Sequence, residues 1–360
     1  MPYCQRCGTK LADDAHFCQK CGTPVIANYA SQAPPPAPTV PMKPIRNDPL
    51  IIGAIVLIAI LVGGVVVAVL LAAPFATVNI SRSYVDNTAN INKLNLNIES
   101  QALKINVFTQ NITRNNNFLI TLDGSASKGP FSGGNNSPIQ VTFTNDTVNN
   151  ELTLTANITQ STAFSRLNVN CNIYINPVLT LNLNVTSQAG QVSLTADKVA
   201  TFESINLQSS AGAVEANLEN MTLAGNMTFR TQAGTVDLRM NEVNVEGNNT
   251  VTLQTNAGSV NMDITQTKTL QGNLLVNAST NLGSVKVGLI VDGDVGAKLV
   301  SQTNLGSLRT YVQHFSGNQS PIESDNYPAD SNIEIDSRTN LGNISINANY
   351  ESLTGPSIRN

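Results

Sequence analysis

Two cysteine pairs near the start of the chain have the spacing of metal ligands. Cys4 and Cys7 form one Cys-x-x-Cys pair, and Cys18 and Cys21 form a second after ten intervening residues. Four thiolates in this arrangement can surround one tetrahedral zinc ion, and four protein ligands leave no position open for catalysis. The spacing therefore predicts one structural Zn²⁺ rather than two disulfides or a dithiol redox site.

The two pairs lie in matching hexapeptides, 3–8 and 17–22, each with an aromatic residue before the first cysteine and glycine after the second. About 25 residues cannot bury a useful core, so the metal would supply the folding free energy. The segment 3–24 resembles the short zinc-ribbon heads of many prokaryotic membrane proteins. We expect such a head to dock a cytoplasmic protein partner. Its few cations disfavour nucleic acid as the partner.

The rest of the sequence offers little material for catalysis. Only 12% of residues are charged, against about 25% in an ordinary soluble domain. Beyond the head the single histidine is His314, and Asp292-Gly293-Asp294 reads as a turn rather than a cation site. Scattered charged residues of mixed sign read as a solvated face, and we predict no enzyme, with a hydrolase as the weakest alternative; these residues are Glu215, Asp237, Arg239, Asp263 and Lys286.

A hydrophobic segment predicts a membrane anchor. Residues 50–73 are 24 uncharged residues, and a helix of that length, about 36 Å, exceeds a hydrocarbon core of about 30 Å. Lys43 and Arg46 precede it, so the positive-inside rule places the N-terminus in the cytoplasm and the C-terminal part outside the cell. A cleaved signal peptide is the alternative, but the run is long and 49 residues precede it. Small residues four apart within the span would also allow a homo-oligomer.

These features divide the chain into five parts. Several prolines follow the head, which is typical of a semi-rigid spacer, with a ligand for a proline-binding domain as the alternative. The predicted parts are a cytoplasmic zinc ribbon at 1–29, a Pro-rich linker at 30–49, a transmembrane helix at 50–73, a juxtamembrane stalk at 74–89 and an ectodomain at 90–355.

Two compositional features agree with this topology. Asn-x-Ser/Thr triplets occur only after the hydrophobic segment, where they would make a glycoprotein in a host with the required machinery. Four cysteines lie in the head, where a reducing compartment would keep them as thiols, and only Cys171 lies beyond it. Its alternating surroundings favour a buried small residue in a strand, while an intermolecular disulfide remains the alternative.

An internal repeat predicts the fold of the ectodomain. A tetrapeptide ending in glycine recurs seven times, as in Ser187-Gln188-Ala189-Gly190 and Thr255-Asn256-Ala257-Gly258, and the glycines are spaced by 22, 22, 24, 25, 23 and 36 residues. Alternating apolar and polar residues on both sides indicate strands. A fixed period of this size is typical of a solenoid. We predict rungs with a glycine corner, polar ladders at the corner, and an extruded loop at 313–330 that lengthens the last interval.

The segment 90–350, including Asn172-Ile173-Tyr174-Ile175-Asn176-Pro177 before the first glycine corner, resembles the putative-adhesin family of bacterial and archaeal, toast-rack-like β-solenoid domains. That resemblance implies a surface-exposed solenoid. We therefore expect a mainly β protein of the cell membrane, with one span and a non-catalytic ectodomain that serves adhesion to a glycan or protein or supports the envelope. The alternative is a transmembrane signalling component, in which the solenoid senses a ligand and the zinc ribbon engages a cytoplasmic partner.

Overall fold

The computed structural model describes residues 3–4, 6–11, 16–22, 76–112, 116–128, 137, 139–160, 166–197, 199–317 and 320–351. The chain divides into two compact units, Met1–Leu71 and Ala72–Asn360. The predicted linker and the predicted span at 50–73 lie outside the described residues. Within the described residues, no helix is long and apolar enough to cross a membrane.

The described part of the second unit is built from strands, as its alternating sequence predicts. The first seven are β1 (Ala76–Asp86), β2 (Lys93–Ser100), β3 (Lys104–Thr109), β4 (Phe118–Lys128), β5 (Ile139–Val148), β6 (Glu151–Gln160) and β7 (Arg166–Ile175). The repeats supply β8 (Thr180–Ala189), β9 (Val192–Ala196), β10 (Thr201–Ala211), β11 (Val214–Glu219), β12 (Thr222–Leu223), β13 (Met227–Ala233), β14 (Val236–Asn241), β15 (Asn244–Val245), β16 (Asn249–Ala257), β17 (Val260–Gln266), β18 (Leu274–Leu282) and β19 (Val285–Asp292). The last six are β20 (Val295–Leu305), β21 (Leu308–Gln313), β22 (Phe315–Ser316), β23 (Ile322–Ser324), β24 (Ser331–Leu341) and β25 (Ile344–Glu351).

The strands form two sheets. The 11-stranded sheet has the order β1-β4-β7-β3-β9-β11-β14-β17-β19-β25-β21. The 14-stranded sheet has the order β22-β23-β20-β24-β18-β16-β13-β10-β8-β2-β6-β5, with β12 and β15 beside it. Each glycine tetrapeptide ends a strand of the 14-stranded sheet and is followed by a strand of the 11-stranded sheet. Equivalent strands of neighbouring repeats pair in parallel, so the repeats stack upon one another.

The core is one continuous cluster that both sheets supply. Along β8, for example, Leu181, Leu183 and Val185 are buried while the residues between them are partly exposed. Since no single repeat can enclose such a row, each repeat depends on its neighbours for burial. The stack of repeats is therefore the unit that forms a core.

The glycines at the corners are required by the stacking. Gly258 has φ +143°, and a Cβ built on it would lie 1.9 Å from the carbonyl oxygen of Gly234 in the preceding repeat. Gly234 has φ +147° and stands in the same relation to Gly212, at 2.3 Å. An L side chain is excluded here both by the left-handed backbone and by the neighbouring carbonyl. The close contact between neighbouring repeats therefore requires glycine at the corner.

The first residue of the tetrapeptide forms a second contact between repeats. Six buried or half-buried hydroxyls donate hydrogen bonds of 2.8 to 3.1 Å to the glycine carbonyl of the neighbouring repeat, and they belong to Ser209, Thr231, Thr255, Thr280, Thr303 and Thr339. The predicted polar ladder also forms at the second position, where Asn281 donates to Asn256, Asn340 to Asn281 and Asn304 to Asn340. Threonine therefore bonds to the backbone, whereas asparagine bonds to asparagine.

Both ends of the stack depart from chain order. The repeat β24–β25 lies between β18–β19 and β20–β21, and β2–β3 lies between β6–β7 and β8–β9. The residues 313–330 are therefore not a simple extruded loop. They include β22 and β23, and β23 pairs antiparallel with β20 at the end of the 14-stranded sheet. The interval of 36 residues between Gly306 and Gly342 is long because the chain forms the terminal repeat β20–β21 first. It then runs back through β22 and β23 before β24 pairs beside β18.

The N-terminal boundary also differs from the expectation. The residues predicted as a stalk, 74–89, include β1, which pairs antiparallel with β4 along its whole length. The sheet therefore begins at Ala76 rather than at residue 90. The alternation in this segment is weak because β1 is an edge strand, and among its described side chains only Ile80 is buried in the core.

Candidate metal centre and polar groove

The four head cysteines converge on one point. Their sulfur atoms all lie within 4.8 Å of one another, with Cys4 Sγ 3.5 Å from Cys21 Sγ and Cys7 Sγ 3.6 Å from Cys18 Sγ. A tetrahedral zinc tetrathiolate with Zn–S bonds of about 2.3 Å places its sulfurs about 3.8 Å apart. The donor set therefore fits one zinc ion, and thiolate sulfur is a ligand type that zinc prefers.

Matching turns position the two pairs. Gly8 N–H donates to the Cys4 carbonyl at 2.9 Å, and Gly22 N–H donates to the Cys18 carbonyl at 2.8 Å. Both glycines have positive φ, +69° and +70°, which glycine adopts without a steric cost. The repeated hexapeptide thus folds as two equivalent knuckles, each closed by a hydrogen bond from the glycine amide to a backbone oxygen.

The surface of the head carries two exposed aromatic residues. Tyr3 and Phe17 occupy equivalent places before the two knuckles, and each keeps 63% of its surface exposed. Arg6 and Lys20, one in each knuckle, are exposed as well, as is His16. Cys4, Cys18 and Leu11 form the buried cluster. Large exposed aromatic side chains on so small a unit are typical of a surface that binds another protein.

Cys171 lies in a different environment. Its side chain is fully buried between Val169 and Ile173 on β7, and burial raises the pKa of its thiol to about 12. A thiol with so high a pKa is protonated at neutral pH and is a poor nucleophile. The expected role as a buried core residue is confirmed.

The parallel register brings the scattered charged residues together in a groove on the outer face of the 11-stranded sheet. Glu215 is paired with Asp237, and Asp237 with Asn261. In the next row Arg239 is paired with Asp263. The groove crosses β9, β11, β14, β17 and β19 and has a volume of about 680 Å³; its polar lining is Ser193, Thr195, Glu215, Asn217, Asp237, Arg239, Asn261, Asp263 and Lys286.

Hydrogen bonding within the groove is incomplete. Asn261 Nδ2 donates to Asp237 Oδ1 at 2.6 Å, but the Oδ1 atom of Asn261 is buried and has no partner among the described residues. Gly288 on β19 is paired with Asp263 on β17, and a Cβ at Gly288 would lie 2.3 Å from Asp263 Oδ1. The absence of a side chain at Gly288 therefore leaves the Asp263 carboxylate room at the edge of the groove.

The register that forms the groove was available in the sequence. Glu215, Asp237 and Lys286 each follow their corner glycine by three residues, and Arg239 and Asp263 follow theirs by five. Alignment on the corner glycines would have placed them in two neighbouring rows. Taken one repeat at a time, they read as isolated surface charges.

The two remaining candidates lie apart from the groove. Asp292-Gly293-Asp294 forms the turn between β19 and β20, with Gly293 N–H donating to Asp292 Oδ1 at 2.6 Å. His314 has positive φ, +59°, and its Nδ1 lies 3.8 Å from Asp325 Oδ2 at an exposed position. The structure thus brings neither residue to the charged residues of the groove.

Comparison with known proteins identifies the head. Residues 3–25 match the zinc-ribbon domain family, whereas curated protein sequences give no match. Two solved structures show a remote similarity. A "putative cell adhesion protein" from Clostridium sporogenes is 14% identical, with a TM-score of 0.36 over 75% of this chain and 100% of that chain. A "putative adhesin" from Bacteroides fragilis is 17% identical, with a TM-score of 0.29 over 75% of this chain and 97% of that chain.

Proposed function

We propose that the protein is a single-pass membrane protein that presents a non-catalytic β-solenoid at the cell surface as a binding module. The groove is the observation that carries this proposal. Five parallel strands spaced by about 4.8 Å extend it over about 19 Å, so it offers a row of carboxylate, amide and cationic groups rather than a closed pocket. Such a row suits an extended polar ligand, and we name a surface glycan as its class.

The chemistry of the groove supports a hydroxyl-rich ligand. Glu215 and Asp237 are acceptors on neighbouring strands, and Arg239 and Lys286 are donors. A sugar hydroxyl can donate a hydrogen bond to the carboxylates of Glu215 and Asp237 and accept one from Arg239 or Lys286.

Glycan binding is testable with matched charge variants. The purified full chain is applied to a glycan array beside Asp237→Ala/Asp263→Ala and a control, Asp146→Ala/Asp330→Ala, which removes two exposed carboxylates outside the groove. We expect the groove variant to lose binding and the control to keep it. Equal binding by all three proteins, or no glycan bound by the parent, would refute the groove as a glycan site.

The same proposal assigns the zinc ribbon to the cytoplasm, where it docks a protein partner through Tyr3 and Phe17. A closed set of four cysteines supports a structural role for the metal. Pull-down from cytoplasmic extract compares the parent with Tyr3→Ser/Phe17→Ser and with Cys4→Ser. We expect both variants to lose the partner, and only Cys4→Ser to lose zinc by mass spectrometry. A partner retained by the aromatic variant would refute docking through these side chains.

The topology is tested by protease treatment of intact cells that carry a tag at each end of the chain, with deglycosylation of the same samples. We expect loss of the C-terminal tag and protection of the N-terminal tag. Protection of both tags would refute presentation at the surface. If groove ligands change the amount of partner held by the ribbon, the alternative function as a signalling component gains support over a purely adhesive or structural one.

A further inference from the structure

One edge of the 11-stranded sheet is open. β21 pairs with β25 on one side, and among the described residues no strand pairs with its other side. Its inward-facing Leu308 keeps 36% of its surface exposed, whereas Ile344 opposite it on β25 is fully buried. In the 14-stranded sheet, the equivalent terminal strand β20 is followed by β23. The core between the sheets therefore reaches solvent at β21.

We propose that this edge is a homodimer interface, at which β21 of a second copy of this chain pairs antiparallel with β21 and joins the two 11-stranded sheets across a two-fold axis. An interface of this kind is isologous, so the edge must be complementary to itself. Both its backbone and its side chains meet that requirement.

The backbone requirement is met by three residues. Ile344 N–H donates to the Ser307 carbonyl at 2.9 Å, and residues of a parallel strand alternate in the side to which their N–H and C=O groups point. The groups of Leu308, Thr310 and Val312 therefore face away from β25. A two-fold axis at Thr310 pairs Leu308 with Val312 of the second copy, and each of the three residues then exchanges two hydrogen bonds with the residue opposite it.

The side chains agree with the same register. On the inward face, Leu308 lies opposite Val312 of the second copy, and Thr310 lies opposite its own equivalent. On the outer face, Arg309 lies opposite Tyr311 of the second copy, and Tyr311 keeps 68% of its surface exposed. Arginine over an aromatic ring is attractive, and the arrangement occurs twice. A shift that placed Arg309 opposite Arg309 would bring like charges together and is disfavoured.

The composition of β21 favours a second copy over a solvent-exposed edge. Edge strands that remain unpaired usually carry charge or proline at inward positions, and Leu308, Thr310 and Val312 offer neither. The opposite edge of this sheet, β1, carries Arg82 and Asp86. Self-pairing of β21 closes the core at that edge, whereas pairing of β21 with β1 would generate a filament.

Cross-linking in cells that express the full chain tests the register. In the proposed dimer Thr310 lies about 5.5 Å, Cα to Cα, from its equivalent, within the range of a disulfide. We expect Thr310→Cys to give a covalent dimer, and Arg309→Cys to do so only when mixed with Tyr311→Cys. Ser345→Cys, on the outer face of neighbouring β25, is the control and should remain at the parental background.

A proline variant tests the interface without a cross-link. Thr310→Pro removes an N–H that has no partner among the described residues of one chain but pairs with the Thr310 carbonyl of the second copy in the proposed dimer. Proline is tolerated on edge strands. Light scattering of the full chain in detergent should give a dimeric mass for the parent and half that mass for Thr310→Pro, with unchanged circular dichroism. A monomeric parent, or a Thr310→Pro chain that stays dimeric, overturns the proposal.

Two cross-linking results would also overturn it. Thr310→Cys that cross-links no more than Ser345→Cys leaves β21 without a partner. Thr310→Cys that cross-links with Ser83→Cys on β1, but not with itself, identifies a head-to-tail filament instead of a closed dimer.

Discussion

At the scale of single residues, the hydroxyls at the corners differ from one repeat to the next in a way that can be measured. Ser209 and Ser187 are both buried and paired in register on neighbouring strands. Ser209 Oγ donates to the Gly190 carbonyl at 2.8 Å, whereas Ser187 Oγ has no partner among the described residues. The preceding strand β2 is followed by Leu103 instead of a glycine corner. The Leu103 carbonyl takes the equivalent place, 2.1 Å from the position of a Cβ built on Gly190, but Ser187 makes no hydrogen bond to it.

Alanine at these two serines should have different effects on stability. Ser209→Ala removes a buried hydrogen bond and should lower the free energy of unfolding by about 1 kcal/mol. Ser187→Ala removes a hydroxyl that is already unpaired and should leave the free energy of unfolding unchanged or raise it. Urea unfolding followed by circular dichroism measures both. Equal losses would show that Ser187 has a hydrogen-bond partner in solution.

The position of Glu203 in its strand determines its ion-pair partner. The register between β8 and β10 shifts between Phe202 and Ser204, so Glu203 occupies a bulge. From there its carboxylate reaches Lys93 Nζ at 2.8 Å, two strands away on β2. The hydrogen bond from Lys93 is the main reason that the pKa of Glu203 lies below its usual value, with a further hydrogen bond from Asn182.

The lowered pKa of Glu203 gives a pH-dependent stability. Such a carboxyl stabilises the fold above its unfolded pKa of about 4.3, and the contribution is lost as the pH falls through the lower native pKa. Glu203→Gln should therefore lower stability by a few tenths of a kcal/mol near neutral pH, since the pair is partly exposed. The difference from the parent should shrink as the pH falls below about 4.3 and vanish once the pH lies below the lowered native pKa. Glu99→Gln, an exposed carboxyl on β2, should show no such loss.

At the scale of elements, the glycine corner sets how close two repeats can come. Gly258→Ala should lower stability by more than about 3 kcal/mol, because the added Cβ meets the Gly234 carbonyl in addition to the backbone strain. Gly247 is the control. Its φ is +74° and a Cβ there meets nothing within 4 Å, so Gly247→Ala should cost only about 1–2 kcal/mol. Thermal unfolding compares the two, and similar losses would argue against contact at the corner.

The elements show how far the sequence determines the fold. The glycine period and the alternating residues around it predicted the strands and the corners, because both patterns are local. They did not predict that β24 lies beside β18, since Ile333 and Ile335 would fit equally well against any neighbouring row of apolar residues. The groove was missed for a related reason. Its residues come from separate repeats, and only the parallel register makes Asp237 a neighbour of Glu215.

The site in the head was easier to predict. Four cysteines at zinc-ligand spacing specify their own geometry, and their sulfurs do lie within 4.8 Å of one another. The exposed positions of Tyr3 and Phe17 were not predicted, because an aromatic residue in a short motif reads equally well as core. Among the described residues of the head the buried cluster is Cys4, Leu11 and Cys18, and neither ring is buried against it.

At the scale of the whole molecule, the exchanged order of repeats predicts that removing fewer residues from the C-terminus lowers protease resistance more than removing more of them. A chain ending at residue 329 loses β24 and β25, which separate β18–β19 from β20–β21. The repeat β20–β21, which then has no neighbouring repeat to pack against, should be cleaved rapidly by protease. A chain ending at Asp292 loses both repeats and keeps β18–β19 as its last, so it should resist protease better although it is shorter. Greater resistance of the longer fragment would contradict the order of repeats.

The same exchange of order has a consequence for synthesis of the protein. A polypeptide leaves the ribosome from its N-terminus, so β20–β21 emerges before β24 and β25, with which it pairs. At about 5–20 residues per second, the chain from Gln313 to Glu351 takes a few seconds to appear. During that interval the apolar edges of two repeats have no neighbour, so the nascent chain is most prone to aggregation at this stage.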